Sequence, residues 1–142
     1  KMPCGTMQSY GFGKKELDCY HAEKLIAIEY DGGPWHTNQN RDIEKNEICE
    51  QNKIFLYRIR CGCQPLNYKG AYYAQYHLKP KHELSKEFEN VFKELIRDIN
   101  SRFSMNINVN EIDFHRDRNA ILDEFHKRYQ AVNELKMRRR TT

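Results

Sequence analysis

Two apolar runs separated by a helix-like segment constrain this chain more than any other feature. Residues 25–31 ("LIAIEYD") and 53–60 ("KIFLYRIR") are short, β-branched and aromatic, as strands are. Between them, residues 39–52 ("QNRDIEKNEICEQN") set Asp42, Lys45 and Cys49 three and four positions apart, on one face of a helix. Asn38 or Asn40 can cap it. Strand, helix and strand joined this closely predict a right-handed crossover with the two strands parallel. Parallel strands need helical cover, so the fold class is α/β, a mixed sheet flanked by helices.

The rest of the chain fits around that unit. Residues 15–20 ("KELDCY") alternate Leu17 and Cys19 against Glu16 and Asp18, a short strand signal. "HAEK" turns the chain, so this run and the next read as a hairpin. Residues 64–80 carry Tyr68, Tyr72, Tyr73 and Tyr76 and read as loop with a short strand around "YYAQYHL". In residues 83–99, Leu84, Phe88, Val91, Phe92, Leu95, Ile96 and Ile99 form an apolar stripe at helical spacing, and Ser85 can cap the helix. "MNINVNEI" is a short alternating strand or an extended link. A second amphipathic helix follows in residues 116–140, on Ile121, Leu122, Phe125, Tyr129 and Val132. Residues 1–104 therefore read as the core, and 105–142 as a link and C-terminal helical extension with a basic tail. Residues 1–14 look like loop, or the edge of something larger; the first residue is Lys1, so an upstream segment is expected to be missing.

Composition narrows the class of protein. A chain of 142 residues, 31% charged and 39% hydrophobic, can bury a core. No apolar run approaches the ~20 residues of a membrane span, and no signal peptide is visible. Cys4, Cys19, Cys49, Cys61 and Cys63 contain no C-x-x-C pair, which argues against a disulfide framework and for a reducing, cytoplasmic setting. Cys19 and Cys49 fall in apolar patterns and read as core. The net charge is +4, but Lys136, Arg138, Arg139 and Arg140 crowd the C-terminus. Such a cluster suits phosphate contact; its plainer reading is a solvated tail.

The chemistry gathers elsewhere. Asp18 stands on the first strand of the hairpin; Glu29 and Asp31 share one face of the second. His36 follows a Gly32-Gly33-Pro34 turn and Trp35, and Asp42 and Lys45 return over the sheet on the helix. Two carboxylates on one face of a buried strand are expensive unless paired or metal-bound. A divalent cation is the expected answer, because carboxylate oxygens are what Mg²⁺ takes.

Asp18, a ten-residue gap and Glu29-Tyr30-Asp31 resemble the signature of the PD-(D/E)XK nucleases. "DGGPWH" is similar to the very-short-patch-repair (Vsr-like) branch, and Asp42 matches the last acidic member of the related EDxHD endonucleases. The likeness covers about residues 13–61, and "DFHRDRNAIL" resembles the downstream segment of such proteins. It implies a restriction-endonuclease-like core and a Mg²⁺- (or Mn²⁺-) dependent endodeoxyribonuclease of bacterial or phage origin. Asp18, Glu29 and the Tyr30 carbonyl would hold the metal. His36 would act as general base, Asp31 and Asp42 would position it or hold a second metal, and Lys45 would neutralise the phosphate. Trp35, Arg41, Lys136, Arg138, Arg139 and Arg140 would contact double-stranded DNA, with a homodimer or a DNA-binding domain outside this chain completing the grip. Asp31 stands where those nucleases carry a basic residue, which moves the chemical burden to His36. The family's catalytic Glu, on a helix before the first strand, has no counterpart between Lys1 and Gly13. Cys61 matches one ligand of a structural zinc, but Gly33, Asn38 and Asn40 occupy the other positions, so no zinc is expected.

Each residue also has a plainer reading. His36 can be a turn histidine, Asp42 and Lys45 a surface i,i+3 pair, Trp35 core, and the glycines a turn. The alternatives to a nuclease are a catalytically silent DNA-binding or interaction domain of the same fold, and a zinc module using the cysteines.

Overall fold

A computed structural model of the chain describes residues 16–33, 36, 38–79 and 86–140. The chain divides into two compact units, Lys1–Asn106 and Ile107–Thr142. The first holds strands β1 (Cys19–His21), β2 (Ile26–Gly32), β3 (Phe55–Cys61) and β4 (Tyr73–Leu78), with helices α1 (Gln39–Gln51) and α2 (Lys86–Phe103). The strands form one mixed sheet in the order β1-β2-β3-β4. β1 runs antiparallel to β2, and β2, β3 and β4 are mutually parallel. The expected hairpin, the parallel pair around α1 and the short strand near Tyr76 are all present.

Two-residue alternation gives the sheet two faces. Ala27, Glu29 and Asp31 of β2 lie beside Leu56, Arg58 and Arg60 of β3 in register, and α1 covers them. The covering contacts include Cys49 within the core cluster of Leu17, Tyr20, Ala27, Ile54 and Leu56. The opposite face meets α2: Phe88 packs edge-on against Tyr30, Phe103 against Phe55, and Tyr57 donates a hydrogen bond to Asp98. Leu95, Ile96 and Ile99 are the buried apolar residues of α2. The result is helix, sheet, helix in three layers.

Local chemistry sets the boundaries of α1. Asn38 caps it, its side-chain oxygen accepting from the Asn40 N–H. At the other end Lys53 takes the left-handed conformation (φ 55°). The Ile54 N–H donates to Cys49 O and the Lys53 N–H to Glu50 O, the paired bonds of a Schellman ending. That turn aims the chain straight into β3.

One expectation needs correction, and one open choice is decided. The first strand begins at Cys19 rather than Lys15, because the Asp18 side chain takes over the pairing: its Oδ2 accepts the Tyr30 N–H at 2.8 Å. Of the strand or extended link expected for residues 105–112, the structure has the link, with one 3-10 turn, Val109–Glu111, capped by Asn108. Their alternation has no neighbouring strand to pair with, as the sheet ends at β4 among the described residues.

In the second unit α3 (Phe114–Arg140) is one long helix, and Ile121, Phe125 and Tyr129 are exposed along it. No described helix is long and apolar enough to cross a membrane. Expectations for residues 1–14, Trp35 and Ser85 fall outside the described residues.

Candidate functional site

The layer between α1 and the sheet is apolar at one end and charged at the other. Leu17, Ala27, Leu56 and Cys49 fill the first part; burial pushes the Cys49 thiol up to about 12, so it is core and not a nucleophile. Further along the strands the same face carries Glu29 and Asp31 on β2, and Arg58 and Arg60 on β3. α1 presents Asp42, Lys45 and Asn46 to them. These charges sort into two centres, roughly 7 Å apart along β2 at ~3.3 Å per residue.

The first centre joins Asp18, Glu29 and Lys45. Register places Asp18 next beyond the Cys19–Ile28 pair, opposite Glu29. The Asp18 N–H donates to Glu29 Oε1 at 2.9 Å, while Asp18 Oδ2 accepts from Tyr30 N–H. The Tyr30 carbonyl shares that edge of β2, since the N–H and C=O of one strand residue point the same way. Lys45 Nζ donates to Glu29 Oε2 and to Glu16 O, each at 2.7 Å. Glu29 is 3% exposed. Burial raises its pKa and outweighs the opposing Lys45 charge, so one lysine leaves this carboxylate incompletely compensated.

The second centre is a closed ion-pair network. Arg58 Nη1 forks onto both oxygens of Asp31 at 2.7 and 2.9 Å, its Nε donates to Asn46, and its Nη2 donates to the Asp42 carbonyl. Arg60 Nη1 bridges Asp31 Oδ2 at 2.9 Å and Asp42 Oδ2 at 3.1 Å. Asp31, Arg58 and Arg60 are each 0% exposed. His36 forms the rim, 28% exposed at its side chain, with Nδ1 3.3 Å from Asp42 Oδ1 and 3.4 Å from Asp31 Oδ1. Burial works to raise the Asp42 pKa, but the Arg60 hydrogen bond and the Arg58 and His36 charges overcome it and hold the carboxyl below its usual range.

Asp31, His36 and Asp42 offer ligand atoms within 4.8 Å of one another, a spacing a metal can use. Their surroundings argue against it. Two guanidiniums already neutralise the two carboxylates and bond both Asp31 oxygens and Asp42 Oδ2, and a divalent cation there would face Arg58 and Arg60 at close range. The carboxylate set of the first centre suits a hard cation better: Asp18 is exposed, Glu29 is under-compensated, and a carbonyl lies on the same edge. Of the two carboxylates on this strand face, Asp31 is compensated by the chain's own Arg58 and Arg60, and Glu29 only in part by Lys45.

Other expected residues scatter. Arg41 is exposed on α1. Lys136, Arg138 and Arg139 are exposed near the end of α3, in the other unit, and Arg140 is the last residue of that helix. Trp35 lies outside the described residues. Cys61 is buried and Cys63 half-buried, their thiols donating to backbone carbonyls. The sequence reading overlooked Arg58 and Arg60. Their signal was available: two arginines at alternate positions of a buried strand must face compensating acids, and Glu29 and Asp31 have the same spacing on the neighbouring strand. No protein-family model matches the chain, and no curated protein or solved structure matches it.

Proposed function

We propose that this chain is a metal-dependent DNA endonuclease or nickase, with a restriction-endonuclease-like core of the Vsr-like or EDxHD kind. The observation that carries the reading is the reciprocal lock of Asp18 and Glu29 across β1 and β2, with Lys45 of α1 on Glu29. Asp31 occupies the lysine position of the E-x-K pattern, yet a lysine ammonium reaches the same glutamate from the helix. The mixed order β1-β2-β3-β4, with parallel strands after the hairpin, is compatible with such a core.

In this reading Asp18, Glu29 and the Tyr30 carbonyl would hold Mg²⁺ or Mn²⁺. Bound there, the ion would polarise the phosphodiester and favour the charge that develops on it. Lys45 orients Glu29 and adds positive charge toward a phosphate. His36, with Nδ1 turned to Asp31 and Asp42, leaves Nε2 to take the proton of the attacking water. Asp31 supports rather than reacts, because it is sealed beneath two arginines. Arg41 and the basic end of α3 would bind the DNA backbone, giving salt-dependent affinity.

A second reading has its own observation: both Glu29 oxygens and both Asp31 oxygens already have partners within the chain, as a silent DNA-binding domain of this fold would need. Plasmid incubation with Mg²⁺ or Mn²⁺ separates the two. Nicking by the wild type, lost in Asp18→Ala and His36→Ala, supports the enzyme. No nicking with either metal, or equal cutting by the variants, leaves the silent domain.

A further inference from the structure

We propose that Arg60 is a positioning residue: it clamps the Asp31 and Asp42 carboxylates together so that both face Nδ1 of His36 and the Nε2 lone pair points outward. The proposal rests on the reading of His36 as the base, and names what holds that base in its working form.

Arg58 and Arg60 differ in a way that assigns them different work. Arg58 is satisfied in every direction, by Asp31, Asn46 and the Asp42 carbonyl, and reads as an anchor between β3 and α1. Arg60 uses one nitrogen, Nη1, to bridge the two carboxylates that touch His36, and its Nε holds the Gln64 carbonyl at 2.8 Å. Its Nη2 is buried with no hydrogen-bond partner among the described residues. A buried donor left without a partner is destabilising. Apolar residues of similar volume fill such a space as well or better. A guanidinium kept there with one nitrogen unused is poorly explained by stability, and well explained by the two bonds that it does make.

Those bonds fix the histidine. With Asp42 Oδ1 and Asp31 Oδ1 both facing Nδ1, that nitrogen must carry the proton, which makes Nε2 the base. If the carboxylates were free to turn, Nδ1 would lose its acceptors and the tautomers would mix. Two carboxylates face the ring, Asp31 from β2 and Asp42 from α1, and Arg58 and Arg60 of β3 pair with those carboxylates. Arg60 also lies beside His77 of β4 in the sheet register. Lysine at position 60 would keep the charge but not the planar, multi-donor geometry that bridges two acids and a carbonyl.

The test uses the full chain with Arg60→Lys and Arg60→Met. Long-range ¹⁵N NMR reads the His36 ring, and plasmid nicking is followed against pH. Wild-type His36 is expected as a single Nδ1–H tautomer. In Arg60→Met the tautomers mix, and the acid limb of nicking moves to higher pH because two carboxylates lose a countercharge. The turnover rate falls roughly 10–100-fold, the usual range for outer-shell positioning groups, with KM little changed. Arg60→Lys preserves the buried charge, so its acid limb stays near that of the wild type, but without the bridging geometry its tautomers mix and its turnover rate falls in smaller measure. An Nε2–H tautomer in the wild type overturns the proposal without any variant. So does a folded Arg60→Lys whose ring signals match the wild type, or a loss of rate no greater than the unfolded fraction by circular dichroism. If the wild type does not nick DNA, the nuclease reading falls, and the ring signals alone still decide the role of Arg60.

Discussion

Glu29 and Asp31 share one face of β2, two residues apart, yet they are compensated in opposite ways. Glu29 has a single ammonium from Lys45, whose side chain is 18% exposed, and one backbone N–H. Asp31 has two guanidiniums that are themselves 0% exposed. The pKa directions record the difference: burial wins at Glu29, which is raised, while at Asp42, the partner of Asp31 in the network, the arginines win and the value falls. A carboxylate left under-compensated has affinity to spare for a further cation. One locked by arginines has none, and serves as scaffold. The lesson is that proximity of acids alone does not mark a metal centre; their existing partners decide.

The largest expected effect would come from breaking the locked side. Asp31→Ala leaves Arg58 and Arg60 with only Asp42 between them, and removal of one partner from a buried ion network typically costs about 3–5 kcal/mol. Urea unfolding should register that loss. Glu29→Ala should lose about 1 kcal/mol, because Lys45 can turn toward solvent. The double variant Asp31→Leu with Arg58→Met leaves Arg60 paired with Asp42 and should recover more than half of the single-variant loss. Equal losses for Asp31→Ala and Glu29→Ala would erase the contrast.

The sequence made the contrast only half visible. The β2–α1–β3 unit could be read because its signals are local: apolar runs of strand length, a helical face, and an asparagine at the cap, Asn38 or Asn40. The hairpin placed Asp18 and Glu29 on adjacent strands, but it was the resemblance to the nuclease signature that joined them; the register that sets them opposite each other was not legible in the turn. The compensation of Asp31 was hidden. Arg58 and Arg60 are 27 and 29 residues away, and their approach follows from the parallel register of β2 and β3 rather than from any local pattern. The start of β1 was misplaced for a related reason, a side chain standing in for backbone pairing at Asp18. Residues 105–112 alternate like a strand, but strand formation needs a neighbour that the sequence pattern cannot supply.

A middle-sized effect should sharpen the comparison from the open side. A ligand that binds only the folded state, present at about ten times its Kd, stabilises by about 1.4 kcal/mol. For a chain of this size that is roughly 3–6 °C in Tm. Mg²⁺ should therefore raise the melting temperature of the wild type. The shift should vanish in Asp18→Asn and survive in Asp42→Asn, even though Asp42→Asn lowers the starting stability. A shift lost in Asp42→Asn and kept in Asp18→Asn would move the cation to the arginine-bound centre and reverse the assignment.

The smallest effect is in pH dependence, where the two sides should pull in opposite directions. The Asp42 carboxyl is held below 3.8, so its contribution is present above that value and is lost as pH falls through the folded one. Glu29 is raised above 4.5, so between 4.5 and its folded value the native state holds more proton than the unfolded chain. Stability from this group therefore declines as pH rises through that window. Glu29→Gln should remove the decline and flatten the curve above pH 4.5, while Asp42→Asn should flatten it below 3.8. Saturating Mg²⁺ should mimic Glu29→Gln in the upper window, since a cation on the carboxylate replaces the missing compensation, and should leave the lower window unchanged. A steeper decline in Glu29→Gln, or a Mg²⁺ effect confined to the acid side, would show that the under-compensated carboxylate is not Glu29.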